Sequence, residues 1–357
     1  MKTLLVEAPI NSLSFGNVSY NILRELSKRN IEVGLIPTGN VDVSAYKADA
    51  SFSSWIKESI NKSWDIVASK APSFKLWHLN GALDRKSHKQ NLLTFYETSE
   101  PTFQEVSTCK SQDRTLFSST YAKDLFESAG CGNCSFIPMG FDEDFFKTNK
   151  KYLEGVVHFG LMGKFEKRKH TEKIIRAWLK KYGNDNRYQL SCCVTNPFFK
   201  PEQMQAVIAS VLEGKRYTNI NFLPYLKTNS EVNEFLNAID IDLTGLSGAE
   251  GWDLPSFNAT CLGKWSIVLN ATSHKDWAND QNSILIEPSG QEPIYDSFFF
   301  SEGSGYNQGN MFSWNEDDVI AAMQTAVSKV SSVNINGVEL GKKLTYANTV
   351  DRILESF

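Results

Sequence analysis

Two short stretches of the chain hold the residue types that could handle a ligand rich in phosphate and hydroxyl groups. The first runs Gly248-Ala249-Glu250-Gly251-Trp252-Asp253-Leu254-Pro255-Ser256-Phe257-Asn258-Ala259-Thr260-Cys261-Leu262-Gly263 and sets a glycine-flanked carboxylate just before a proline able to open a helix. A helix N-terminus offers unpaired N–H groups and the positive end of a dipole, which suits a phosphate. Glu250 beside it can accept hydrogen bonds from sugar hydroxyls, although an acid in this place is more often a helix cap. The second stretch, Phe159-Gly160-Leu161-Met162-Gly163-Lys164-Phe165-Glu166-Lys167-Arg168-Lys169-His170, puts Lys164, Lys167, Arg168 and Lys169 directly after Gly163. Such a cluster can neutralise a departing diphosphate without a metal ion; the plainer alternative is a solvated basic loop.

The elements that must position these residues read as alternating strands and helices. Thr3 to Val6 is apolar and strand-like, and Ser14-Phe15-Gly16-Asn17 reads as a turn. Val18, Ile22 and Leu26 follow at helical spacing, and Val33 to Ile36 restores a strand. Further short apolar runs at Asp65–Ala68, Lys75–His78, Leu92–Tyr96, Thr115–Ser118 and Ser135–Pro138 predict strands, with a helix over Tyr121–Ala129. From Asp142 to Gly155 the text is charged and aperiodic, as a linker would be. The alternation then resumes with strands at Val156–Leu161, Tyr188–Val194, Ile220–Leu223, Ile241–Leu246, Trp265–Leu269 and Ser283–Ile286. Helices are predicted between them at Thr171–Lys181, Glu202–Leu212 and Glu231–Ala238, while Asp296–Trp314 reads as an irregular insertion and Leu340–Phe357 as a closing helix. Two successive blocks of this kind predict an α/β chain of two Rossmann-like, doubly wound parallel-sheet domains facing across a cleft. The expected divisions are an N-terminal acceptor-side domain over 1–150, a donor domain over 151–338 and a closing helix over 339–357. Ligands of such sheets sit beyond the carboxyl ends of the strands, so both stretches are expected to open on the cleft.

The run Glu-Gly-aromatic-x-Leu-Pro from Glu250, an acid-type position eight residues on, and a closing small-x-Gly before an apolar strand together resemble the donor-binding motif of the family 4 retaining glycosyltransferases, also called glycosyl transferases group 1. The resemblance implies the GT-B architecture and metal-independent transfer of a sugar from a nucleotide diphosphate, which is the donor substrate and not a cofactor, to a carbohydrate-type acceptor. It assigns Glu250 to the donor sugar, with Gly251, Trp252, Leu254 and Pro255 completing the motif. Asn258 stands where the family has a second acid for the ribose, and an amide loses the charge-assisted bond that an acid gives. The basic segment resembles the family's phosphate-binding turn, with Gly163, Lys164 and Lys169 in the matching places and Arg168 as the alternative to Lys169. Ser14 to Val18 resembles the family's first glycine turn, which assigns Gly16 to the donor phosphate and Asn17 to the acceptor side. Phe95-Tyr96-Glu97-Thr98-Ser99 resembles a strand end that opens on the cleft and puts Glu97 on the acceptor side, and Phe117 to Tyr121 with Ile137 to Asp142 resembles the exit from the first domain. Acceptor choice then falls to the loops Gly39–Ser54 and Gly81–Gln90.

Other features narrow the reading. His78, after the run Lys75–Trp77, could enter the cleft near the anomeric carbon or be a structural histidine; His158 and His170 are weaker candidates. Asp240-Ile-Asp242 imitates a metal-binding Asp-x-Asp, but it begins the strand that feeds Glu250, so no metal is expected. Cys131-Gly-Asn-Cys134 has ligand-like spacing with no second pair, and Cys192 and Cys193 sit in an apolar run. No Gly-x-Gly-x-x-Gly follows a strand, which argues against a dinucleotide-dependent oxidoreductase. With 37 basic and 41 acidic residues the formal charge is −4, so neither nucleic acid nor a membrane surface is an expected partner. Two alternatives stay open: a catalytically weakened sugar-nucleotide or glycan-binding protein, and transfer to modified DNA. The first residues do not read as a signal peptide and no apolar run is long enough to span a bilayer, so a cytoplasmic location is expected.

Overall fold

The computed structural model describes residues 2–148, 150 and 152–357. The first half contains β1 (Thr3–Ala8), α1 (Ser14–Ser27), β2 (Glu32–Pro37), α2 (Ala50–Asn61), α3 (Ser63–Ala68), β3 (Ser73–Leu76), β4 (Gln90–Thr94), α4 (Phe103–Ser111), β5 (Arg114–Phe117), α5 (Thr120–Ser128) and β6 (Cys134–Phe136). Its six strands pair in the order β2-β1-β3-β4-β5-β6, all parallel. The second half contains β7 (Val157–Met162), α6 (Thr171–Tyr182), β8 (Tyr188–Cys193), α7 (Pro201–Val211), β9 (Ile220–Phe222), α8 (Asn229–Ala238), β10 (Ile241–Asp242), α9 (Leu254–Cys261), β11 (Trp265–Leu269) and β12 (Ile284–Ile286). These strands form a second parallel sheet, β12-β11-β10-β7-β8-β9, whose order reverses between β7 and β10. A hairpin of β13 (Gly290–Pro293) and β14 (Asn310–Ser313) and the helices α10 (Glu316–Lys329), α11 (Ile335–Lys343) and α12 (Tyr346–Glu355) complete the chain. Two doubly wound parallel sheets are the predicted architecture. Among the described residues no helix is long and apolar enough to cross a membrane.

Local chemistry explains where the helices begin. The Thr102, Ser119, Thr228 and Thr345 hydroxyls each accept the backbone N–H two or three places into α4, α5, α8 and α12, satisfying a donor the helix itself cannot. α9 carries Pro255 in its first turn and is followed by Gly263 at φ +86°, a left-handed conformation that favours glycine. α6 buries Ile174, Ile175 and Trp178 on one side, as its spacing requires.

Several expectations are corrected. Ser14–Asn17 is the first turn of α1, not a loop; the reversal lies earlier, and a Cβ on Gly16 would stand 2.1 Å from the Asn11 carbonyl oxygen. Asp65–Ala68 belongs to the helix α3, because a four-residue apolar run carries no period to separate strand from helix, and Ile66 packs on Leu5 and Ala71. The strand expected over Ile241–Leu246 stops at Asp242, whose carboxylate accepts the Thr244 N–H and draws Thr244–Leu246 into a 3-10 turn. The stretch Gly39–Ser54 contains the start of α2, capped by Asp49, and the insertion carries β14. The closing segment is two helices, since Thr345 caps a new one.

The two halves are tied by polar contacts. Asp142, buried at the start of the linker, accepts from Asn17 Nδ2 (3.2 Å) and Asn21 Nδ2 (3.0 Å) of α1 and from Asn229 Nδ2 (3.1 Å) of α8. Arg24 pairs with Asp144 at 2.8 Å. Further along the interface, Ser118 Oγ donates to the Gly251 carbonyl at 2.7 Å and Thr120 Oγ1 to Asp276 at 2.6 Å.

Candidate active site

The crevice where the second sheet reverses its order lies between the carboxyl ends of β7 and β10. The basic segment leaves the first of these strands and Glu250 follows the second, so the fold brings the two stretches together. Gly163 makes the turn out of β7 at φ +139°, and a Cβ there would stand 3.1 Å from Lys169 Cδ. Gly163→Ala is therefore expected to cost about 1–3 kcal/mol of stability through backbone strain, read by urea unfolding, and to displace Lys169.

Lys169 Nζ donates to Glu250 Oε1 at 2.5 Å, with both side chains largely buried. Arg168 lies at the centre of a charge cluster. It reaches Glu250 Oε2 at 3.4 Å, Glu166 Oε2 at 3.2 Å and Glu97 Oε2 at 3.1 Å, and donates to the Ala249 carbonyl at 2.6 Å. Lys164 pairs with Glu166 at 2.6 Å. Three cations thus face three carboxylates, and Glu97 comes from the first domain, beyond β4.

The environment sets the protonation of these groups. Burial alone would raise the Glu250 pKa, but Lys169 and Arg168 overcome it and hold the carboxyl at about 2. Burial likewise opposes ionisation of Glu166, and Arg168, Lys164 and Lys169 still keep its pKa below the usual range. Glu97 goes the other way: burial and the Glu250 charge raise its pKa despite Arg168. On Arg168 burial is outweighed by Glu97, Glu250 and Glu166, so the guanidinium stays charged.

His78 sits just past β3 on the facing domain. It is open to the cleft yet ringed by protein, with the Phe15 ring 4.3 Å away between centroids. That enclosure, with the Lys164 charge across the cleft, holds its pKa down to about 4, so the imidazole is neutral at physiological pH. Gly251 lies at the domain contact, where a Cβ would come 2.7 Å from Phe95 Cβ.

The other expected site residues lie outside the charge cluster itself. Asn17 turns to Asp142 at the linker, and Gly16 lies beneath the β1–α1 loop. Trp252 is 1% exposed, edge-on to Phe257 at 5.3 Å, so neither ring face is open for stacking. Leu254 and Pro255 form the first turn of α9. Asn258 is buried on α9, and its Oδ1 has no protein partner. Asp240 accepts the His158 N–H and Asp242 the Ser256 hydroxyl, so both brace strand ends. His158 bonds Ser191, and His170 the Phe312 carbonyl. Cys134 Sγ lies 3.8 Å from Cys109 Sγ, and all six cysteines are buried and unbridged. Reading the basic run for its cations alone missed Glu166, although it stands inside that run.

The hollow of about 590 Å³ lined by His158, Ser191, Leu223 and Phe235 lies on the α8 face, away from this charge cluster. The crevice is the better chemical candidate because the charged side chains converge there.

No protein-family model matches the chain, and no curated protein sequence does. Solved structures do match in fold. Anabaena HepE in complex with UDP and glucose has a TM-score of 0.67 at 11% identity, covering 100% of this chain and 99% of that one. Sucrose-phosphate synthase from Thermosynechococcus elongatus has a TM-score of 0.69 at 10% identity, covering 99% and 98%. A glycosyltransferase from Rickettsia africae has a TM-score of 0.68 at 10% identity, covering 99% and 97%. At such identities the likeness establishes a shared fold, the two-domain GT-B arrangement.

Proposed function

We infer that the chain is a retaining glycosyltransferase of the family 4 type that moves a sugar from a nucleotide diphosphate to an acceptor hydroxyl without a metal. The observation that carries this reading is the convergence of Glu250 with Lys164, Arg168 and Lys169 at the reversal point of the second sheet. Solved structures of the same fold that hold UDP with glucose, or UDP-glucose, support the donor class.

In this reading Lys164 and Lys169 stabilise the diphosphate as its bond to the anomeric carbon breaks. The acceptor oxygen forms the new bond on the same face, and its proton passes to the leaving phosphate. Glu250 orients the sugar, which fits a carboxyl held ionised at about 2. Neutral His78 can accept or donate a hydrogen bond near the reacting carbon but cannot supply a charge. Metal independence rests on the three cations, which supply the charge an ion would bring. The divisions 1–150, 151–338 and 339–357 serve as the working acceptor-side domain, donor domain and closing segment. Unbridged cysteines suit a reducing cytoplasm.

The decisive experiment is a thermal-shift screen against UDP, GDP, ADP, CDP, TDP and their sugars, since a ligand of the native state raises its melting point. No stabilisation by any of them would overturn the donor assignment. A second reading, a sugar-nucleotide-binding protein that has lost turnover, is favoured by Asn258, an amide where the family has its second acid. Stabilisation without donor cleavage would select it.

The phosphates must also displace carboxylates from the cations, and Glu97 is the acid whose surroundings favour the neutral form. A group whose pKa rises further when an anion arrives takes up a proton on binding, so affinity should increase as pH falls. Affinity for the stabilising nucleotide sugar is therefore expected to rise as pH falls through the Glu97 titration. Glu97→Gln should bind more tightly on the alkaline side of it and lose most of that dependence, as measured by calorimetry in buffers of different ionisation enthalpy.

A further inference from the structure

Helix α9 begins at an acid that does not cap it. Asp253 occupies the N-cap position at φ +63° and ψ +65°, and its side chain makes no bond to the first turn. Asp49, the same residue type at the start of α2, has φ −77° and accepts the Phe52 N–H at 2.7 Å, the ordinary arrangement. Two preferences thus run against the Asp253 conformation. The left-handed backbone is unfavourable for a residue with a Cβ, and a capping bond is forgone.

His274 accounts for it. The ring is fully buried, with Nδ1 2.9 Å from the Leu269 carbonyl oxygen and Nε2 3.1 Å from Asp253 Oδ2. Both neighbours are acceptors, so a proton lies between Nε2 and Oδ2, a strong bond in a dry site. Asp253 Oδ1 has no partner among the described residues. The short segment Thr272–Asp276 that carries the ring grips the preceding turn as well. Thr272 Oγ1 accepts the Glu250 N–H at 3.3 Å, and Trp277 Nε1, just beyond, donates to the Trp252 carbonyl at 3.1 Å. Thr272 is itself left-handed, at φ +46°. Two strained residues therefore bracket the turn that carries Glu250, whose Oε1 lies 2.5 Å from Lys169 Nζ.

We propose that His274 is a positioning residue of the donor site: by holding Asp253 in its left-handed conformation it keeps the carboxylate off the α9 N-terminus and leaves that helix start open to a phosphate. This rests on the donor reading, in which the diphosphate lies beside Lys169 and Glu250. An uncapped N-terminus presents N–H groups and a positive dipole end, whereas a carboxylate seated there would occupy those donors and repel a second anion. Leu254 and Pro255, the first residues of the helix, are only half-buried, so its start is not sealed. Without the ring, Asp253 is expected to relax to negative φ and accept the Ser256 N–H, the same offset at which Asp49 accepts that of Phe52.

The test uses His274→Leu, Asp253→Gly and the double variant, since glycine adopts the left-handed conformation without strain. The probe is inorganic pyrophosphate, which carries the diphosphate charge without base or sugar, and its affinity is measured by calorimetry. His274→Leu is expected to bind about tenfold more weakly than the parent, with Asp253→Gly and the double variant within about twofold of it. Parental affinity in His274→Leu overturns the proposal, as does weak binding by the double variant, because the ring would then act otherwise than through Asp253. Loss of binding in Asp253→Gly also overturns it. Should His274→Leu not fold, the double variant decides alone: parental affinity supports the proposal and its loss overturns it. If the parent binds neither pyrophosphate nor any nucleotide, the donor assignment fails and the phosphate half of the proposal with it. A crystal structure of His274→Leu then decides the rest: Asp253 bonded to the Ser256 N–H upholds the role of the ring, and Asp253 unmoved overturns it.

Discussion

Replacing Lys169 by alanine is expected to lower kcat/KM for donor cleavage by about 10²–10³, the cost of deleting one group aimed at charge that develops in the transition state. The measurement is hydrolysis of the nucleotide sugar selected by thermal shift, which needs no acceptor. The loss has two origins. On the proposed reading the diphosphate loses a cation, and of its two cationic partners Glu250 keeps Arg168, at 3.4 Å. Lys169→Arg separates them: it retains the charge but changes its geometry, so it should recover part of the rate. An alanine variant with parental turnover would remove Lys169 from the phosphate role.

Removing the guanidinium should act mainly on the folded state. In Arg168→Ala, Glu97, Glu166 and Glu250 lose their shared partner, and breaking a buried ion pair from one side costs about 3–5 kcal/mol. Urea unfolding at neutral pH measures it. The pH dependence follows from the signs. In the parent, Glu250 and Glu166 have depressed pKa values, so their contribution is present above the unfolded carboxylate value and lost as pH falls through the folded one. Without Arg168 these carboxyls ionise less readily in the folded state and are relieved by protons. The gap between parent and variant should therefore narrow from pH 7 to pH 4. A gap independent of pH would mean that packing, not charge, sets the cost.

Much of this site was legible in the sequence because its parts are local. Glycine before a basic run and Glu250 before Pro255 both lie at strand-to-helix junctions, where parallel sheets gather their ligands. Charge pairing was less accessible. Glu97 meets Arg168 across 71 positions, a separation on which no spacing rule bears. That Asp253 would leave its helix uncapped was not legible either, since it depends on His274, 21 positions on, reaching back from beyond β11. Trp252, the aromatic of the Glu250 motif, is packed in the core, the commoner place for a ring beside a helix start. The strand misread at Asp65 and the turn misread at Ser14 follow from windows too short to carry a period.

The last helix has a consequence for how the molecule assembles during synthesis. Tyr346, Val350 and Ile353 of α12 belong to the same core as Val18, Ile22 and Leu26 of α1, and Arg29 pairs with Asp351 at 2.5 Å. More than three hundred residues separate Arg29 from Asp351 in the chain. The amino-terminal domain must therefore emerge from the ribosome with the apolar patch that α12 covers still exposed, and wait until the second sheet has been made. Contacts so distant in sequence slow folding and leave intermediates prone to aggregation. A nascent chain halted before residue 346 should accordingly be the species that most needs a chaperone.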